Sequence, residues 1–149
     1  NETRRMRLAL ETERSQLRRG TGIDIKYGPG GMLDIYFAMR FLQLRDNVSD
    51  DPKDRSTPHM LDMLESNGSL TKSIHQELAS GYQFLSQLDH NLRLTVGRTT
   101  RVPLANHTAL NTIASRMNLS SSDALIEQLN LKRLAIREVF DTIVSADIE

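Results

Sequence analysis

Cysteine and tryptophan are absent from this chain, and only 5% of its residues are aromatic. The lack of cysteine excludes disulfides and thiol chemistry and fits a cytosolic protein. With so few aromatic rings there is no stacking platform for single-stranded nucleic acid. An excess of one charge is missing too. The 19 Lys and Arg balance 19 Asp and Glu, for a formal net charge of zero, so bulk electrostatic capture of nucleic acid or of an anionic membrane is not expected. No apolar run is long enough for a transmembrane helix, and no signal-like segment stands near the start. The 149 residues fit one domain with a real core. The chain opens within a helical pattern, Asn1-Glu2-Thr3, without an initiator methionine, which reads as a piece of a longer protein.

What is present is concentrated between Asp24 and Phe37. Three of the eight glycines and one of the four prolines fall in Gly28-Pro29-Gly30-Gly31, and an apolar, helix-compatible run follows at once. Glycine permits positive φ and close approach, while proline fixes one φ. The chain is therefore expected to turn sharply and start a buried helix whose first N–H groups are open to an anion, with Lys26 and Asp34 on either side.

Elsewhere the pattern is helical. Residues 2–19 read as an amphipathic helix with Met6, Leu10 and Leu17 near one face and six arginines against three glutamates, Arg7 among them. That charge is a solvated face or a docking face. Gly20 and Gly22 end this helix, and Ile23 to Tyr27 is a short extended connector. The glycine corner leads into a helix over about 31–45, apolar on most of its circumference through Leu44 and so central and buried. Thr57-Pro58 starts a short helix that ends at Asn67-Gly68. Leu70, Ile74, Leu78, Tyr82, Leu85, Leu88 and Leu92 form the most regular stripe, lasting to about Thr95, with Gly81 marking close helix packing. A short helix over 108–117 and a long one capped by Ser120 to Asp123 and running to about Ala146 complete the chain. No strand pairs and no repeats are evident. The expected architecture is all-α, a single helical domain over residues 1–149, a bundle of five to six helices.

Side chains that could do chemistry are scattered. His59, His75, His90 and His107 are 16, 15 and 17 residues apart, without the i, i+4 pairing of zinc enzymes. His90 stands out, because His90 and Arg93 are i, i+3 neighbours able to meet a carboxylate or phosphate; the alternative for His90 is a partly buried packing role. No serine sits in a nucleophile elbow, and the glycines match neither a Walker A loop nor a dinucleotide fingerprint. Gly68-Ser69 is not followed by the acidic pair that a nucleotidyl-transfer site needs for magnesium. The Asp147-Ile148-Glu149 pair lies at the chain end. No catalytic or metal-binding residue is expected in this chain.

The run Asp24-x-Lys26-x-Gly28-Pro29-Gly30-Gly31-x-x-Asp34-Ile35-x-Phe37, followed by Leu42-Gln43-Leu44, resembles the helical domain of bacterial glutamine synthetase adenylyltransferases. The likeness continues through Gly68-x-Leu70, Gly81-Tyr82-x-Phe84-Leu85-x-x-Leu88-x-His90-x-Leu92-Arg93-Leu94, Val102-Pro103 and Ile136-Arg137-x-x-Phe140. Met6-Arg7 is similar to the entry helix. Tyr36 stands where that family usually has glutamate, Leu33 where it is often basic or small, and Asp89 where it has glutamate.

The resemblance implies a parent enzyme that attaches AMP from ATP to a tyrosine of glutamine synthetase, or removes it by phosphorolysis, under control of the signalling protein PII and glutamine. It further implies magnesium and ATP bound mainly by a nucleotidyltransferase domain upstream of this one, in the bacterial cytoplasm. Lys26, Gly28, Gly30, Gly31, Asp34, His90 and Arg93 are then candidates for facing that domain or a phosphate, and the corner becomes a hinge and docking site. Two alternatives differ in class: the equivalent domain of PII uridylyltransferase, whose motif has histidine at the place of Tyr36, and a free-standing helical interaction domain without catalytic partner.

Overall fold

A computed structural model describes residues 2–8 and 22–145. Residues 2–8 are helical (α1), and are followed among the described residues by β1 (Ile23–Asp24), α2 (Met32–Asp46), α3 (Thr57–Ser66), α4 (Lys72–Thr95), β2 (Arg101–Val102), α5 (His107–Arg116) and α6 (Ser122–Ser145). The all-α bundle expected from periodicity is what forms. Leu10, Leu17, Gly20, Ala146 and the Asp147–Glu149 pair lie outside the described residues.

Each helix start has a local cause. Ser56 Oγ accepts the His59 N–H at 3.4 Å, with Pro58 in the first turn of α3. Thr71 Oγ1 accepts the Ile74 N–H at 3.2 Å, and Asn106 Oδ1 the Ala109 N–H at 3.1 Å. Ser121 Oγ accepts the Ala124 N–H at 3.1 Å at the head of α6. These side-chain oxygens replace the helical acceptors that first-turn amides lack. Of α2 to α6, α2 alone starts without a side-chain cap.

The long helix α6 packs along α4, α2 and α5, with α3 bridging α2 and α4. Leu78, Leu85, Leu88 and Leu92 of the predicted stripe are fully buried, against Ile136 and Phe140 of α6 in the same core. Gly81 is the close contact between the two long helices. A Cβ there would lie 2.7 Å from Ile136 Cδ1.

Three expectations change. A two-residue antiparallel ladder pairs Ile23 with Val102 and Asp24 with Arg101, extended by Ile25 N–H to Thr100 O at 2.8 Å. So short a ladder leaves no period-two pattern in the sequence. Leu44 is 82% exposed while Gln43 is buried, because α2 lies against the other helices on one side only. In α1 the polarity is inverted: Met6 is half exposed and Arg7 is fully buried.

Candidate functional site

Asp24 starts the glycine corner. Its Oδ1 accepts the N–H groups of Lys26 (3.0 Å) and Tyr27 (2.8 Å), and its carbonyl accepts the Gly28 N–H at 3.1 Å. This is an Asx turn, a side chain imitating a backbone turn. The chain then folds back over the head of α2. Met32 N–H donates to Ile25 O at 2.9 Å, Leu33 N–H to Lys26 O at 3.1 Å, and Asp34 N–H to Gly31 O at 3.1 Å. Gly31 permits this, since a Cβ on it would lie 2.7 Å from Ile25 O. Gly30, at φ +72°, lets the chain pass the backbone of Arg133, into which a Cβ would project.

The amides expected to be open to an anion are therefore spent on the connector's own carbonyls. The same glycines that suggested an anion cradle let the loop satisfy the helix end from within.

Asp34 holds the corner to the rest of the molecule. It is fully buried, and its Oδ2 accepts the Gly30 N–H at 2.6 Å. Arg137 Nη1 donates to that same oxygen at 3.0 Å, and Arg7 Nε lies 2.7 Å from Oδ1. Arg7 Nη2 also donates to Tyr27 O (2.7 Å) and Gly28 O (2.9 Å). Arg133 Nε donates to Pro29 O at 3.1 Å. One carboxylate thus joins α1, the corner and α6, and the corner's carbonyls absorb the second positive charge. Buried ions persist only when an opposite charge and polar groups meet them in this way.

Asp34 has no exposed surface to offer another molecule, whereas Lys26 and Pro29 are exposed beside it. The Lys26 ammonium lies 5.5 Å over the Tyr27 ring. Gly28 is half buried, and Gly30 and Gly31 are buried.

His90 is exposed rather than packed. Arg93 is exposed as well and pairs with Asp89 at 3.3 Å. The structure sets Arg93 beside Arg98, Thr99 and Thr100 in a surface cleft, apart from the glycines. His59 and His75 each lie between two carboxylates: Asp51 (2.9 Å) and Asp54 (3.8 Å) for His59, Asp62 (2.7 Å) and Glu65 (2.9 Å) for His75.

Tyr36 is exposed on α2, with the Arg40 guanidinium 5.7 Å from its ring. Arg40 Nη1 donates to Gln43 Oε1 (3.2 Å) and Asp50 Oδ1 (3.2 Å), and Gln43 Nε2 to Asp50 Oδ1 at 2.8 Å. The Gln43 amide, followed by Arg40, holds the Asp50 carboxyl below its ordinary pKa.

Among the described residues no group of three His, Asp or Glu side chains is arranged to hold a metal ion. The residue that sequence reasoning misses is Arg133; Arg7 stands in the matching Met6-Arg7 segment, but not as a partner of Asp34. Arg137 was visible as part of a matching segment, but not as a partner of Asp34. The only available signal was an aspartate in the first turn of an apolar helix, which needs a cation when buried.

An all-α domain whose glycine-rich corner is clasped by a buried carboxylate is therefore the class to be placed. The chain belongs to the family described as GlnD PII-uridylyltransferase, whose model matches residues 3–144. Similar curated proteins are named bifunctional glutamine synthetase adenylyltransferase/adenylyl-removing enzyme. The one from Vibrio parahaemolyticus is 30% identical over 148 residues, 98% of this chain and 15% of its own length. Those from Aromatoleum aromaticum and Corynebacterium diphtheriae are 30% and 34% identical over 90% and 72% of this chain, and 14% and 10% of their own lengths. The chain thus spans about a seventh or less of the relatives it matches.

Proposed function

We propose that this chain is the helical domain of a bacterial enzyme that adenylylates a tyrosine of glutamine synthetase, or removes the AMP by phosphorolysis, in nitrogen regulation. The observation that carries this reading is the near-complete coverage of the chain by a relative bearing that name. In this reading the nucleotidyl-transfer carboxylates, magnesium and ATP belong to a nucleotidyltransferase domain elsewhere in the polypeptide. The bundle supplies a rigid platform for that domain, for glutamine synthetase and for PII. Lys26 and Pro29, exposed on the clasped corner, are its docking groups. A cytoplasmic setting belongs to the same proposal; no helix among the described residues is long and apolar enough to cross a membrane.

A second reading, the equivalent domain of a PII uridylyltransferase, is favoured by the description of the matching family model. Labelling separates the two. The intact parent polypeptide is incubated with radiolabelled ATP or UTP and with glutamine synthetase and PII together. Label from ATP on glutamine synthetase is the expected result; label from UTP on PII would transfer the assignment to the second reading. A free-standing interaction domain predicts label on neither protein and no nucleotidyltransferase motif in the same reading frame.

A further inference from the structure

The cleft that contains Arg93 follows from how α4 ends. Val96 N–H and Gly97 N–H both return to Leu92 O, at 2.8 and 3.2 Å. Gly97 takes φ +123°, a value open mainly to glycine. The chain reverses there, so that Arg98, Thr99 and Thr100 lie back beside Arg93 around a cleft of about 380 Å³. The segment is pinned twice. Thr99 Oγ1 accepts the Arg101 N–H at 3.1 Å, and Thr100 O accepts the Ile25 N–H at 2.8 Å.

Within this frame several donors are unused. Arg98 makes no hydrogen bond or ion pair with any described residue. Thr99 uses its hydroxyl oxygen as an acceptor, which leaves its proton to donate. The Thr100 hydroxyl oxygen is buried without a partner, although buried hydroxyls are normally bonded. Among the described residues Arg93 is held only by Asp89, and an exposed pair of this kind contributes little. Its side chain is 68% exposed.

We propose that this cleft binds a small phosphate ester. Arg93 and Arg98 take the phosphate oxygens between them, and the Thr99 hydroxyl adds a neutral donor. Two planar guanidinium forks match a dianion with three equivalent oxygens better than they match a single carboxylate. The cleft is also of the size usual for small-molecule sites rather than for a bare ion. The Asp89 carboxylate competes for Arg93, so binding depends chiefly on Arg98. This inference goes beyond the proposed function and holds for either target of the parent enzyme.

The test is a titration of the full 149-residue chain at low ionic strength with AMP, inorganic phosphate and adenosine. Backbone amides and arginine Nε groups are followed by nuclear magnetic resonance. AMP and phosphate are expected to shift Arg93, Arg98, Thr99 and Thr100 saturably, and adenosine is not. Arg98→Gln is expected to weaken AMP roughly tenfold or more, the loss of a charged hydrogen-bond set, with an unchanged melting curve because Arg98 supports nothing internal. Arg93→Gln weakens AMP less, and Arg116→Gln on α5 leaves it unchanged. Absence of saturable shifts in the unaltered chain overturns the proposal. So does an Arg98→Gln chain that binds AMP as well as the original, or adenosine binding equal to that of AMP.

Discussion

Asp34 joins two guanidinium groups and the Gly30 amide inside the protein, so its replacement leaves buried charge without a counterion. Asp34→Ala is expected to lower the free energy of unfolding by about 3–5 kcal/mol, measured by urea denaturation. An unchanged midpoint would show that water reaches the site and that the clasp adds nothing. At this scale the sequence was least informative. In the sequence Asp34 stands beside the glycines as a group facing outward, and Arg7 reads as one more arginine of a solvated or docking face. Both are fully buried, and each is held inside by the other together with Arg137, the Gly30 amide and the carbonyls of Tyr27 and Gly28. Their separation in the chain hides that pairing from any local pattern. Met6 misled for the same reason: helical phase over so short a segment does not say which face the core will take, and the Arg7–Asp34 pair turns α1 the other way.

Among the elements, α4 and α6 depend on the missing side chain of Gly81. Gly81→Ala is expected to destabilise by about 1–3 kcal/mol through overpacking. Ile136→Ala removes Cδ1 and Cγ1, the two atoms nearest the added methyl. The double variant should therefore be more stable than the sum of the two single losses; strict additivity would show that the helices move apart freely. Here the sequence was legible. The leucine stripe, Gly81 and the capping residues are all local signals, and α2 to α6 begin and end within a residue or two of their expected places. The β1–β2 ladder was not legible, because two residues carry no period and their partners are joined only by the fold. The exposed Leu44 escaped too, since a helix apolar around most of its circumference gives no clear direction to its buried side.

For the whole molecule, charge balance makes acid a sensitive variable. Asp46 is held down to about 2 by hydrogen bonds from Arg45 and then Ser69. Asp50, Asp51 and Asp54 in the loop before α3 are also lowered, chiefly by Gln43, the Lys53 backbone and Ser56 respectively. Carboxylates depressed in the folded state contribute stability above their unfolded pKa of roughly 4 and lose it as pH falls through the folded value. Urea midpoints should thus be nearly level from neutral pH to about 5, then fall between about 4 and 2. Gln43→Ala should raise the Asp50 pKa, followed by carboxyl carbon resonances, while leaving that of Asp46 in place. A common shift of all four carboxylates would instead point to a general charge effect.

The family was readable at the whole-molecule scale because the glycine motif has a fixed order, yet its purpose was not. The claim that the motif builds a self-satisfied clasp, and not an anion cradle, is tested most directly by native-state hydrogen exchange at Gly30, Met32, Leu33 and Asp34, with and without inorganic phosphate. The structure predicts that these amides exchange only through unfolding, with protection near that of the α4 core, and that Met32 and Leu33 change no more than that core when phosphate is added. Rapid exchange at these positions, or saturable protection by phosphate that the α4 core does not share, would contradict it.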